Sequence, residues 1–453
     1  MIFTTIFLLQ FLIGFGLVDR FGVINKLGQK ISLSILLGFF VSSVAVFALE
    51  LLHIKLTTFS ILSVLALAAL IINFNLPHLL NRLLGAFTEN RDTVQVYELV
   101  FFLAAGYLLF YSVWRSYSIP VTPYDSIVGI DLVAKQAIKE GHIVSSIFYR
   151  PEFRPYLSTQ PYYAPFTMLM QVIYRFAGLP FGQLWLGILT VSFFVFAYSK
   201  LCEKIHPVIA GFFVLLFITV PEMYAYTFLL QTDFSNAVFF SVGMIFTIEF
   251  LESKNIRYLF PAAVFMAAAC WSRTETIILV IPVASIILVR LSSGRSFKLI
   301  LPAFFYFGFC ALFNVLWNVI FFKLYFPVVP EVKDQINWKG VYSWEKSSEI
   351  LNGMNAFFFN ANYWGYSIHI FLTLWLINMI FSRSKKVMSN LAWIALFYLC
   401  FFVMLHHFTL MNIEYTFRRA VMKFLLLMCL LMSRFPLLQR RIALPKIKST
   451  NES

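Results

Sequence analysis

The chain reads as an all-α protein, a polytopic transmembrane helical bundle of about 12–14 membrane segments with an external loop that carries an amphipathic helix. Three observations predict this. The 453 residues are 60% hydrophobic and only 12% charged, against about 25% charged in ordinary soluble domains. Several windows approach the roughly 20 apolar residues needed to cross a hydrocarbon core. Lys and Arg sit in the short loops between those windows, as the positive-inside rule requires of a membrane protein.

Taken in order, the apolar segments fall at about 2–18, 32–52, 56–76 and 97–117. After a long polar loop, 118–160, they resume at about 162–177, 184–200, 207–222, 234–251, 258–271, 276–290, 299–322, 363–381, 390–408 and 420–434. The opening MIFTTIFLLQFLIGFGLV lacks a basic leading stretch and a small-residue cleavage site, so it reads as a retained span. The chain divides into N-terminal accessory helices (1–96), a core (97–435) with external loops 118–160 and 323–362, and a basic cytoplasmic tail (436–453).

Loop parity orients the bundle. With 118–160 outside, the basic loops Arg20/Lys26/Lys30, Lys200/Lys204, Lys254/Arg257, Arg290/Arg295/Lys298 and Arg383/Lys385/Lys386 fall inside. So does the tail Arg434, Arg440, Arg441, Lys446 and Lys448. This holds if segment 162–177 does not cross as a simple span. Its prolines, its Arg175 and its shortness suit a re-entrant or tilted helix. The linker near Pro77–Val96 adds Arg82 and Arg91. The net charge of +14 is thereby explained by topology and by anionic lipid near the tail, so nucleic acid is not an expected partner. The cysteines Cys202, Cys270, Cys310, Cys400 and Cys429 form no CxxC pair and read as small buried hydrophobes.

The residues left unexplained by topology gather on the external side. Loop 118–160 opens with Asp125 and continues in a helical pattern. Ile127, Ile130, Val133, Ala134, Ala137 and Ile138 lie on one side, and Lys135, Gln136, Lys139 and Glu140 on the other. Gly141 stops that helix. Asp125 reads either as a helix cap or as a general base on an acceptor hydroxyl. Asp131 is a weaker supporting carboxylate, with a solvated helix face as its other reading. Asp233, in LLQTDFSNAVFF, reads as a cap or as a second carboxylate that orients the acceptor or holds a divalent metal.

Arg273 and Glu275, in CWSRTETIILVIP, sit at the tip of a short apolar hairpin. They read as a mutual ion pair, or as a site where Arg273 binds a phosphate oxygen through its planar fork of donors. Arg418 and Arg419 open the last span on the outer side, against the positive-inside pattern, as interfacial anchors or as partners of a lipid phosphate. The pair His406–His407 points in different directions on a helix and is a weak metal candidate. Loop 323–362 offers the aromatics Trp338, Tyr342 and Trp344, with Tyr363 at its end. No phosphate-binding glycine loop, nucleophile elbow or zinc spacing is present.

In this order, YDSIVGIDLVAKQAIKEG, the segment from QPYYAPF to AYSKL, LLQTDFSNAVFF, CWSRTETIILVIP and FRRAVMKFLLLM resemble the polytopic GT-C glycosyltransferases. The likeness is to the bacterial mannosyl- and aminoarabinosyl-transferase type and covers about 97–435. Many members carry Asp-Glu in the first loop, where this chain has Asp125–Ser126. The resemblance implies a GT-C-like hexosyl- or pentosyltransferase in a bacterial inner membrane, working on the periplasmic face. It implies inverting transfer from a polyprenyl-phosphate-linked sugar to a glycan, lipid or protein acceptor, with Asp125 as base. Asp131 and Asp233 would support it, and Arg273, Arg418 and Arg419 would hold the donor phosphate. A divalent metal ion on Asp233 is an allowed cofactor. Two other classes compete. An O-antigen polymerase- or ligase-like enzyme would carry several Arg in a late external loop, and 323–362 has none. A lipid-linked-sugar transporter or flippase would carry charges at mid-membrane.

Overall fold

The computed structural model describes residues 1–74, 85, 96–150, 152, 157–158, 160–292, 301–325, 343–408 and 411–439. Its regular elements are helical, with no strand among the described residues. The helices are α1 (Ile2–Phe21), α2 (Leu27–Leu51), α3 (Thr58–Ile72), α4 (Val96–Ser118), α5 (Tyr124–Ile127), α6 (Ile130–Glu140) and α7 (Phe166–Phe176). Next come α8 (Leu184–Leu201), α9 (Pro207–Ile218), α10 (Pro221–Tyr226), α11 (Thr232–Ser253), α12 (Leu259–Ser272) and α13 (Thr276–Ser292). The rest are α14 (Leu301–Val315), α15 (Trp344–Phe358), α16 (Ala361–Trp364), α17 (Ser367–Ser382), α18 (Lys385–His407) and α19 (Arg418–Leu431).

Seven of these segments are long and apolar enough to cross a membrane, among the described residues, and the pair Trp344–Trp364 and Ser367–Ser382, bent by 108°, is an eighth candidate. Four further apolar helices are shorter: Thr58–Ile72, Pro207–Ile218, Ile256–Ser272 and Thr276–Ser292. The chain is therefore an integral, multi-pass membrane protein. α4 shows why composition decides this. Leu99, Val100, Leu103, Tyr107 and Phe110 on it are exposed, an apolar face that suits lipid and not water. α7 has only 11 residues, about 16 Å at 1.5 Å per residue. It is too short for a core of about 30 Å, and Phe166–Tyr174 are buried throughout.

α11 is the axis of the bundle. Its 22 residues span about 33 Å, and it is buried along most of its length between α12 and α19. The alanines of α12, Ala262, Ala263, Ala267, Ala268 and Ala269, are all buried. Such small side chains let helix backbones approach where lipid offers no hydrophobic drive to pair. The N-terminal helices join this core. Trp271 Nε1 donates to Ser43 Oγ at 3.0 Å and Tyr174 Oη to Gln10 Oε1 at 3.2 Å.

Two charged layers mark the two ends. At one, Lys200 Nζ lies 2.6 Å from Glu249 and 2.8 Å from Glu203. Arg434 pairs with Glu252 at 2.8 Å, and Gln29 donates to Glu203 at 2.7 Å. This layer joins the start of α2, the ends of α8 and α11 and the residues after α19, which are the loops expected inside. At the other end, the start of α11, the end of α12 and the start of α19 meet through Asp233, Arg273 and Arg419. The expected basic residues Arg82, Arg91, Arg295, Lys298, Arg440, Arg441, Lys446 and Lys448 lie outside the described residues.

Cysteine labelling tests this arrangement. In a background without the five native cysteines, Lys139→Cys and Glu345→Cys should react in intact cells with an impermeant maleimide, and Lys385→Cys only after lysis. Labelling of Lys385→Cys from outside would break the parity model.

Candidate functional site

The site is built where α10, α11, the α12–α13 hairpin and α19 converge. Asp233, in the first turn of α11, is only 2% exposed. Its Oδ1 is bonded by Nη1 of Arg273, which stands just past the end of α12. Nε of the same guanidinium pairs with Glu275. Asp233 Oδ2 lies 3.9 Å from Nη1 of Arg419, in the first turn of α19, and accepts no hydrogen bond among the described residues. Asn236, one turn further into α11, donates to Ala269 O at 2.6 Å and Thr276 Oγ1 at 2.9 Å, pinning both arms of the hairpin. The expected alternatives for Arg273 therefore resolve into a three-way pairing with Glu275 and Asp233. Asp233 likewise does not cap α11; its side chain is held by guanidinium groups.

Sequence reasoning missed two members of this cluster. Glu222, in α10, places Oε1 3.0 Å from Nε of Arg418. Burial holds its carboxyl above the usual range, against the pull of Arg418 and Arg419. Lys423 lies one turn after Arg419 on α19, is 3% exposed, and is in electrostatic contact with Glu275, Arg273 and Asp233. Two tyrosines stack on the guanidiniums. Tyr163 lies 5.8 Å from Arg273 and Tyr363 5.1 Å from Arg418, ring centroid to Cζ. Tyr226 joins the cluster, its hydroxyl pushed up to about 12 by burial and by Asp233. Four cations thus face three carboxylates in a largely buried space. That is an arrangement suited to an anion.

Asp125 stands on a separate turn. A single helix starting at Asp125 is the sequence expectation; the structure breaks it into α5 and α6. Pro123 occupies the cap position of α5 and Gly129 that of α6, so Asp125 caps neither. The break has a steric cause. A Cβ at Gly129 would lie 2.3 Å from Ser158 Oγ and 2.4 Å from Asp125 O. Only glycine lets Ser158 donate to Asp125 O, which it does at 2.7 Å. The turn is fixed to the site by Ser126, whose hydroxyl donates to Leu230 O, three residues before Asp233. The Asp125 carboxylate is exposed and makes no hydrogen bond or ion pair among the described residues.

Asp131 is not on a solvated face. It is 1% exposed and accepts from Gln171 at 2.8 Å and from Arg175 Nη2 at 2.6 Å, with Lys135 at 2.8 Å. It clamps α6 onto α7. Ile127 and Ile138, expected on the apolar side, are exposed instead. Gly141 does end α6, in the left-handed conformation at φ 80°. Asp131→Asn keeps acceptors for Gln171 and Arg175 but removes the counter-charge. It should cost about 1–3 kcal/mol of stability in a detergent melt.

The residues around Asp233 do not fit a divalent metal. Both of its oxygens face guanidinium groups, and no three His, Cys, Asp or Glu side chains cluster among the described residues. Trp338 and Tyr342 lie outside the described residues, and Trp344 is exposed at the start of α15. Comparison of the chain with protein-family models, curated proteins and solved structures found no match.

Proposed function

We propose that the chain is a membrane glycosyltransferase that takes a sugar from a polyprenyl-phosphate-linked donor and passes it to an acceptor at the Asp125 end of the bundle. One observation carries the reading: the convergence of Arg273, Arg418 and Arg419, from two distant parts of the chain, on a buried cluster with more cations than carboxylates. Guanidinium groups present forked donors that match phosphate. Gathered at one end of long apolar helices, they suit a phosphate whose lipid tail stays in the bilayer.

The chemistry follows from the two halves of the site. Asp125, exposed and unencumbered, takes the proton from the acceptor hydroxyl. The hydroxyl oxygen attacks the anomeric carbon from the face opposite the phosphate, inverting it. The bond from that carbon to the phosphate oxygen breaks, and its electron pair stays on the phosphate. The leaving group gains charge in the transition state, and Arg273, Arg418 and Arg419 stabilise it there. The test is sugar release from polyprenyl-phosphate donors by the purified chain in lipid nanodiscs. Absence of transfer from any such donor, with lipid phosphate bound, would sink the transferase reading.

A further inference from the structure

We propose that Lys423 is a ligand-binding residue, its ammonium bonding a phosphate oxygen of a membrane-embedded lipid phosphate at the floor of the Asp233–Arg273 cluster. The choice of a lipid rests on the glycosyltransferase reading; the assignment of an anion site rests on geometry alone.

Lys423 follows Arg419 by four residues on α19, so the two side chains share a helix face. Lys423 is deeper by about 6 Å at 1.5 Å per residue. It is 97% buried, being 3% exposed, and α19 is packed there against α11, where Ser241 Oγ donates to Lys423 O at 3.4 Å. Yet its Nζ makes no ion pair within 4.0 Å and no hydrogen bond among the described residues. The contact it does make is with the ring of Phe401, 5.6 Å to the centroid. A lysine so nearly buried, with no bonded counter-charge, is costly, and inside a membrane bundle such a group marks a functional position.

The neighbouring carboxylates stay beyond ion-pair distance of Nζ, and each is already paired with an arginine. Asp233 and Glu275 are both bonded directly by Arg273. Glu222 is taken by Arg418. Lys423 is therefore the cation left over when four cations meet three carboxylates. Arg419 Nε is a buried donor with no acceptor among the described residues. Two donors from successive turns of one helix, in a cluster one negative charge short, define a place for an oxyanion. A phosphate on a lipid fits, because its headgroup must descend about one helical turn below the arginine layer while its tail remains in the bilayer.

Lys423→Met separates this role from a structural one. The replacement is similar in length, and it leaves three cations against three carboxylates. The melting temperature should stay level or rise, because an unpaired buried charge has gone. Binding of a polyprenyl monophosphate should weaken about tenfold to a hundredfold, the range for losing a charge-assisted hydrogen bond. Lys423→Arg should keep most of the affinity.

The experiment is native mass spectrometry and thermal unfolding of the full chain in nanodiscs, titrated with polyprenyl monophosphate in one arm and inorganic phosphate in another. Unchanged lipid binding by Lys423→Met overturns the proposal. So does a loss of binding that comes with a lower melting temperature and is shared by Lys423→Arg. Lysine-dependent binding of inorganic phosphate without binding of the lipid overturns the lipid assignment. Wild-type protein that binds the lipid through Lys423 but transfers no sugar supports the site and sinks the transferase reading. Transfer by wild type with Lys423→Met binding normally sinks the Lys423 assignment alone.

Discussion

Asp125→Asn is expected to slow sugar transfer by about 10²–10⁴-fold, the usual cost of removing a general base, while leaving the melting temperature where it was. The structural reason for the second half is specific. The carboxylate is exposed, bonds to no other group among the described residues, and caps no helix. What holds its turn in place is backbone and Ser126, neither of which the substitution touches. Binding of polyprenyl phosphate should persist as well, since the arginine cluster is built from other elements. The measurement is single-turnover transfer and lipid-phosphate binding on the same preparation. Near-normal transfer by Asp125→Asn would remove Asp125 from the chemistry. Asp233 would be a poor replacement, because its carboxylate is buried and faces the guanidinium groups of Arg273 and Arg419.

The reach of the sequence differs from element to element, and the reasons are physical. Spans such as Leu184–Leu201 and Thr232–Ser253 are legible because a hydrocarbon core demands length and apolarity, which one sequence displays directly. The turn at Gly141 is legible because few other residues accept the left-handed conformation. The break at Gly129 was not, since it depends on Ser158 approaching from 29 positions away. Pairings such as Arg273 with Asp233, separated by 40 residues, follow from helix packing that no local pattern encodes. Two misses did leave a local signal. Asp131 stands three residues before Ala134, a spacing that sets it beside that apolar position on the helix surface. Lys423 interrupts the apolar run AVMKFLLLM, and an ionisable residue at that depth calls for a partner.

Arg273→Leu should produce a large stability loss. It strands two carboxylates at once: Asp233, with a side chain 2% exposed, and Glu275, at 11%. Removing one partner of a buried pair typically costs about 3–5 kcal/mol, because the remaining charge is left in a poor solvent. Arg273→Lys should fall between, since a single ammonium cannot reproduce contacts made separately through Nε and Nη1. Loss of activity in either variant therefore says little alone. The informative protein is Arg273→Leu combined with Asp233→Asn, which removes the worse of the two stranded charges. Because the residues touch, their effects should be strongly non-additive, and the double variant should melt well above Arg273→Leu. If Arg273 also grips a lipid phosphate, the recovered fold still binds polyprenyl phosphate poorly. A double variant that binds the lipid as wild type does would reduce Arg273 to the counter-charge of Asp233 and Glu275, and the phosphate would have to be held by Arg418, Arg419 and Lys423 alone.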